Sequence, residues 1–234
     1  MHHLTKLFLA IVSTISLAGC SVKFSSEEYD KGIKDVATYF GGNCNYSKNV
    51  DYETGSGKTE TIKIEINNSN VALGLIDKPG LSASHAAYIF YNDLIKDKKT
   101  VDLIKVTINY SDGSTTINQY PITKLDSAKR FLSVVNAVIS AMKNHNYDSI
   151  GGMFNIGINP EDKMHVLQVM ERSDSLSGAI KKYQMDGFTI LYKDYGTEMV
   201  YHGVVQREKH DYTLALGIVP DAKNGIICNI SYSH

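Results

Sequence analysis

Residues 131–142, FLSVVNAVISAM, contain the strongest helix signature of the chain. The large apolar side chains recur every three or four positions, which is the spacing of one face of an α-helix. They are Phe131, Val134, Val135, Val138, Ile139 and Met142. The polar residues Asn144–Asn146 follow and predict the end of this helix. A continuous apolar stripe is stable in water only when another element covers it, so the stripe predicts a helix packed on a sheet.

Downstream of this helix, the hydrophobic period changes from that of helices to that of strands. Tyr147–Phe154 predicts a short helix or turn, and Asn159–Asp162 predicts the start of a third helix, with a cap, a proline and acidic residues in order. From Ile180 onward, apolar residues alternate with others, as in half-buried strands. The alternating sets are Phe188, Ile190 and Tyr192; Met199, Tyr201 and Val205; Tyr212, Leu214, Leu216 and Ile218; and Ile226, Cys228, Ile230 and Tyr232. We expect three helices followed by four antiparallel strands.

This order of elements resembles the NTF2-like (cystatin-like) α+β fold, and residues 134–154 are similar to the opening of small exported domains of that family. The resemblance covers residues 126–234 and implies a curved sheet that wraps a long helix in a cone. Asp186, Glu198 and His202 would lie on the strands of that cone and are candidate pocket residues, because a carboxylate whose pKa is raised by burial can act as a general base. The alternative is that they face solvent on the convex side.

Residues 27–125 resemble no family. Helical spacing predicts helices over residues 27–40 and after Pro79-Gly80. Alternation and β-forming residues predict strands over 59–66, 101–110 and 115–122, and the polar residues 50–58 predict a loop. Asp112-Gly113 predicts a hairpin between the last two strands. We therefore expect an α+β chain of two small domains: a helix on a mainly antiparallel sheet over 27–125, and the NTF2-like cone over 126–234.

The amino terminus indicates where the protein is located. A Lys6 charge precedes an apolar run that ends in Leu17-Ala18-Gly19-Cys20, and this order is typical of an export signal. The last four residues closely resemble the lipobox of bacterial lipoproteins. The resemblance implies that residues 1–19 are removed, that Cys20 is lipidated, and that residues 20–26 form a tether. An uncleaved membrane helix and an ordinary signal peptide are the alternatives. Ser21 replaces the Asp that retains lipoproteins at the inner membrane of enteric bacteria, which favours the outer membrane, facing the periplasm.

The charge pattern limits the partners of the chain. Its 234 residues have a formal net charge of −1, with acidic and basic residues interspersed. No basic stripe is present to neutralise phosphates, so we expect no binding to nucleic acid. No Lys/Arg cluster follows Cys20 either, so membrane attachment should depend on the acyl chains alone.

After Cys20, only Cys44 and Cys228 remain. An oxidising compartment favours a disulfide between them. The alternative is that both thiols are free. Cys228 alternates in phase with Ile226 and Ile230, which predicts a place on the apolar face of a strand, where a free buried cysteine is common.

No motif in the sequence predicts a catalytic or cofactor site. Gly55–Thr59 resembles part of a phosphate-binding loop, but position 52 is Tyr where that loop needs Gly, and an Ile-rich strand follows instead of a helix. No two histidines have the spacing of a helical metal site, and no Gly-x-Ser-x-Gly elbow is present. We therefore assign no catalytic residue, no metal and no cofactor.

Taken together, these patterns predict a lipid-anchored envelope protein whose folded part is not an enzyme and binds a partner protein or a small ligand. Two alternatives remain open. The first is an enzyme or small-molecule binder that uses the cone of residues 126–234. The second is an accessory subunit of an envelope assembly. Converging carboxylate, His and Tyr groups in an open cone would favour chemistry, whereas a cone filled by Phe, Met and Leu would favour a scaffold.

Overall fold

The computed structural model describes residues 26–53, 57–154, 157–194, 196–219 and 226–234. The predicted signal peptide (1–19), the lipidation site Cys20 and the tether as far as residue 25 lie outside the described residues. Across those ranges the chain forms six α-helices and eight strands. The helices are α1 (Glu27–Phe40), α2 (Asn70–Leu73), α3 (Pro79–Asp93), α4 (Ile122–Lys143), α5 (Tyr147–Met153) and α6 (Pro160–Ser177). The strands are β1 (Asn43–Glu53), β2 (Gly57–Asn67), β3 (Leu103–Asn109), β4 (Thr115–Pro121), β5 (Ile180–Lys193), β6 (Gly196–Arg207), β7 (Asp211–Ile218) and β8 (Ile227–Ser233).

The first sheet has the order β1-β2-β3-β4. The β1–β2 and β3–β4 pairs are antiparallel, and the central β2–β3 pair is parallel. A parallel pair needs a long crossover, which α2 and α3 supply. Ile62, Ile64 and Ile66 on β2 are fully buried, as their alternation predicts. The loop predicted over residues 50–58 is wrong, because β1 extends to Glu53 and β2 begins at Gly57.

The second sheet is an antiparallel meander in the order β5-β6-β7-β8. The three helices that precede it, α4, α5 and α6, match the predicted order of elements, and Asn159 caps α6 by accepting a hydrogen bond from the Glu161 N–H at 2.9 Å. The prediction of a mixed α+β fold is therefore confirmed. The structure contains two four-stranded sheets, one in each half of the chain.

Helix α3 lies between the two sheets and is buried along most of its length. It contacts β3 and β4 of the first sheet and β5 of the second. The contact with β5 is close, because the Ser84 hydroxyl accepts a hydrogen bond from the Phe188 N–H at 2.8 Å. A Cβ placed on Gly187 would lie 2.1 Å from the Leu81 carbonyl oxygen, so the strand needs glycine at this position. Buried side chains of both halves form one hydrophobic cluster.

Helix α4 extends beyond the predicted stripe in the amino-terminal direction, and the predicted boundary at Asp126 lies within it. Phe131, Val135, Val138 and Met142 of the stripe are buried. The Tyr201 hydroxyl on β6 donates a hydrogen bond to the Ala128 carbonyl at 2.7 Å, which joins this helix to the second sheet.

Candidate functional site

The inner face of the second sheet is filled by its own side chains. Ten large residues on this face are each at most 8% exposed. They are Phe188, Met199, Tyr201, Val205, Tyr212, Leu214, Leu216, Ile218, Ile230 and Tyr232. The rings of Tyr212 and Tyr232 stack with centroids 4.8 Å apart, and Phe188 contacts both Tyr120 and Tyr201. The described part of this face is therefore a packed core.

Two of the three candidate pocket residues, Glu198 and His202, do not lie on this packed face. Glu198 and His202 alternate along β6 with Met199 and Tyr201, and so they point to the opposite face of the sheet. Glu198 is only 4% exposed, and a Cβ on Gly217 would touch its carboxylate, which shows that Glu198 packs over the Gly217 backbone. His202 pairs with Gly187 on β5 and is half-buried.

Asp186 and His202 share the positive side chain of Lys78 as a neighbour. Burial raises the pKa of the Asp186 carboxyl above its usual range, and the Lys78 charge partly offsets this effect. Burial lowers the pKa of the His202 imidazole, and the Lys78 charge lowers it further. Asp186 occupies a register irregularity between Met185 and Gly187. Glu198 lies four residues from His202, about 13 Å along the strand, so it is not part of this group.

Beside His202, the first turn of α3 forms one wall of a depression of about 250 Å³. It is lined by Lys78, Pro79, Gly80, Leu81, Thr189 and His202. Lys78 occupies the cap position of α3, and no side chain caps this helix end. The arrangement offers positive charge and an uncapped helix amino terminus, but the lining includes no Cys, Ser or carboxylate that could act as nucleophile or base.

A second cavity of about 330 Å³ lies between α6 and the edge strand β8. Phe154, Ile158, Val166 and Ile230 form its apolar part, and Asp162, Lys163, His165, Cys228 and Asn229 form its polar part. Its volume lies at the lower end of the range of small-molecule sites. Burial, followed by the neighbouring Glu198 carboxylate, raises the pKa of the Cys228 thiol to about 12. The thiol is therefore protonated near neutral pH, and this environment does not favour Cys228 as a nucleophile.

The predicted position of Cys228 on the apolar face is wrong. Ile218 pairs with Ile227 and Gly217 pairs with Asn229, so Cys228 is an extra residue at a register irregularity, and Ile227 takes the buried position. Cys44 lies on β1 in the other sheet, with its Sγ 3.6 Å from the Gly41 carbonyl oxygen. Both are free thiols in this structure.

A partly buried ionic network that the sequence did not reveal joins α6 to the second sheet. The Asp174 carboxylate accepts hydrogen bonds from His145 Nδ1 at 2.7 Å, from the Tyr147 hydroxyl and from Arg207 Nη1. Arg207 also donates to the Tyr232 hydroxyl, at 2.8 Å. Burial raises the pKa of Asp174, but the hydrogen bonds from these partners and the Arg207 charge outweigh burial, and the pKa lies below its usual value.

This network has a structural role. His145 is held by a carboxylate as a catalytic base would be, but its side chain is 68% exposed and neither cavity includes it. Its members come from four separate elements or their ends, at residues 145–147, 174, 207 and 232, and no local spacing relates them. The sequence therefore contains no local pattern that would predict this network.

No protein family, curated protein or solved structure matches this chain. Within the described residues, no three His, Cys, Asp or Glu side chains converge on a point where a metal could bind. Over the same residues, no helix combines the length and hydrophobicity that crossing a bilayer requires.

Proposed function

We propose that this chain is a lipid-anchored protein of the bacterial cell envelope whose folded part binds a partner protein or a small ligand and catalyses no reaction. The observation on which the proposal rests is the Leu17-Ala18-Gly19-Cys20 lipobox after a short apolar run. Two or more acyl chains would anchor the protein stably, and Ser21 at the next position favours the outer membrane, facing the periplasm. The packed inner face of the second sheet supports the non-catalytic part of the proposal.

We also infer that residues 126–234 are arranged as in NTF2-like domains, with α4 against the inner face of the second sheet. Three helices followed by a four-stranded meander support this inference, as does the hydrogen bond from Tyr201 to the Ala128 carbonyl. An enzyme or small-molecule binder that used the hollow of such a cone is less well supported, because Phe188, Met199 and Leu216 occupy that space.

Metabolic labelling with an alkyne fatty acid tests the anchor. The wild type expressed in a bacterial host should be labelled and should have lost residues 1–19. Cys20→Ser should be unlabelled and should keep these residues, because the thiol at position 20 is where the lipid would be attached. Cys44→Ser is the matched control and should be labelled as strongly as the wild type.

Two outcomes would contradict the proposal. Equal labelling of wild type and Cys20→Ser would show that the lipid is attached elsewhere. Absence of label from the wild type, with the protein recovered from the membrane at full length, would support the uncleaved amino-terminal helix instead.

A further inference from the structure

Two histidines lie side by side at the end of the second sheet. His210 immediately precedes β7, and His234 follows β8. The Thr213–Ser233 pair fixes the register of the two strands next to them. The centroids of the two imidazole rings are 5.1 Å apart, with an angle of 66° between the ring planes.

The nitrogens of both rings are available to a ligand. Both histidines are exposed, and in the part of the chain that the structure describes no hydrogen bond involves either imidazole. Tyr212 packs its ring against His234 with centroids 5.5 Å apart, which limits the rotation of that imidazole. Around His210, Glu208 and Asp211 are acidic and Lys209 is basic, so the local charge favours a cation.

The backbone that presents the two rings is held in place. The Lys209 N–H donates to the Ser177 carbonyl at 3.1 Å, which ties the turn before β7 to the end of α6. The hydroxyls of Thr213 and Ser233 lie 2.9 Å apart and connect the two strands. A site on anchored strands costs less conformational entropy on binding than a site on free loops.

We propose that His210 and His234 form a two-histidine site for a divalent transition-metal ion, with water in the remaining coordination positions. Two imidazoles bound to one ion through bonds of about 2.0–2.1 Å, at angles between square-planar and tetrahedral, place their ring centroids about 4.5–5.3 Å apart. The distance in this structure falls in that interval. Two imidazole nitrogens suit Cu²⁺ best, and Ni²⁺ and Zn²⁺ should bind more weakly.

Titration with CuSO₄ alone, followed by calorimetry and by pulsed electron paramagnetic resonance, tests this site. All proteins would be the full chain with His2→Ala and His3→Ala, so that these two histidines cannot contribute to copper binding whether or not residues 1–19 have been removed. The parent should bind one Cu²⁺ per chain with two equatorial imidazole nitrogens. His210→Ala and His234→Ala should each weaken binding at least tenfold and leave the signal of a single imidazole.

His165→Ala is the matched control, because it removes another exposed imidazole, on α6, and it should leave the copper affinity unchanged. Both test variants change exposed side chains, and unchanged melting temperatures without metal would confirm that they fold. The proposal is overturned if the parent shows no saturable one-to-one binding. It is also overturned if loss of His210 or His234 leaves affinity and spectrum unchanged, or if His165→Ala abolishes binding.

Discussion

Cys228 lies at a register irregularity of β8, beside the Glu198 carboxylate. Burial and this negative neighbour raise the pKa of its thiol to about 12, and burial alone also raises the pKa of the Cys44 thiol. We expect iodoacetamide at pH 8 to modify Cys228 at least about tenfold more slowly than an unperturbed thiol, because only the thiolate reacts. Glu198→Gln should accelerate the modification of Cys228 and leave Cys44 unchanged.

Peptide mass spectrometry over time gives both rates in one sample, and unfolding in urea should bring the two thiols to similar rates. If Cys228 reacts as fast in the folded protein as in urea, the thiol is not in this environment. If neither thiol reacts until reductant is added, the predicted Cys44–Cys228 disulfide is present, and the free thiols of the structure are contradicted.

At the scale of residues, the sequence predicted side-chain positions well only where strands are regular. Alternation placed Leu214, Leu216 and Ile218 correctly in the core. It failed at Cys228, because a bulge adds one residue between Ile227 and Asn229. Ile227 therefore takes the inward position before the bulge, whereas Ile230 and Tyr232 after it keep the predicted one. The surroundings of the candidate pocket residues Asp186 and His202 depend on features that alternation does not show. Asp186 also lies at a register irregularity, and Lys78, the charge that acts on it and on His202, comes from a distant part of the chain.

At the scale of elements, α4 provides the sharpest test of the predicted stripe. Val135 is fully buried, whereas the next residue, Asn136, is exposed. Val135→Asp should destabilise the protein by about 3–5 kcal/mol, because a charge would be buried without a partner. Thermal unfolding should show a decrease in melting temperature of roughly 10 °C or more.

Asn136→Asp places the same carboxylate one position further along the same helix and should change the melting temperature by no more than about 2 °C. Ile139→Asp should behave as Val135→Asp does, and the exposed Lys129→Ala should be near neutral. Equal melting temperatures for Val135→Asp and Asn136→Asp would show that the stripe is not core.

Strong periodicity also explains which elements the sequence could predict. The alternation of Ile62, Ile64 and Ile66 reflects one buried face, and it located β2. Strand β1 was missed because it is an edge strand in which polar residues such as Asn45, Ser47 and Asn49 are frequent, and its identity depends on pairing with β2. Backbone pairing of an edge strand does not require a regular alternation of apolar side chains, so the sequence carries no hydrophobic pattern that would indicate it.

At the scale of the whole molecule, the position of α3 between two sheets could not be predicted from the sequence. The parallel β2–β3 pair requires a crossover helix on the first sheet, but nothing in residues 79–93 specifies a second sheet on its other side. The contact depends on a glycine at position 187 and a serine at position 84, which meet only in the folded chain. The spacing of apolar residues predicts two separate halves of the chain. In the structure, buried side chains of both halves pack together in one hydrophobic cluster.

Gly187 therefore tests whether the halves of the molecule are coupled. Its φ is 149° and a Cβ would lie 2.1 Å from the Leu81 carbonyl oxygen, whereas Gly196 has a φ of 122° with nothing within 4 Å of an added Cβ. Alanine at either position strains the backbone, but only Gly187→Ala pushes β5 away from α3. It should cost about 1–3 kcal/mol more than Gly196→Ala in free energy of unfolding.

Circular dichroism during urea unfolding, together with hydrogen exchange of individual amides, measures this difference. If α3 couples the sheets, the wild type unfolds in a single transition, and Gly187→Ala lowers the protection of β3 amides as well as β5 amides. If the two halves are independent, two transitions appear, and the effect of Gly187→Ala stays within β5–β8. Equal stabilities of Gly187→Ala and Gly196→Ala would contradict the close contact between α3 and β5, because the clash with the Leu81 carbonyl is the physical difference between the two variants.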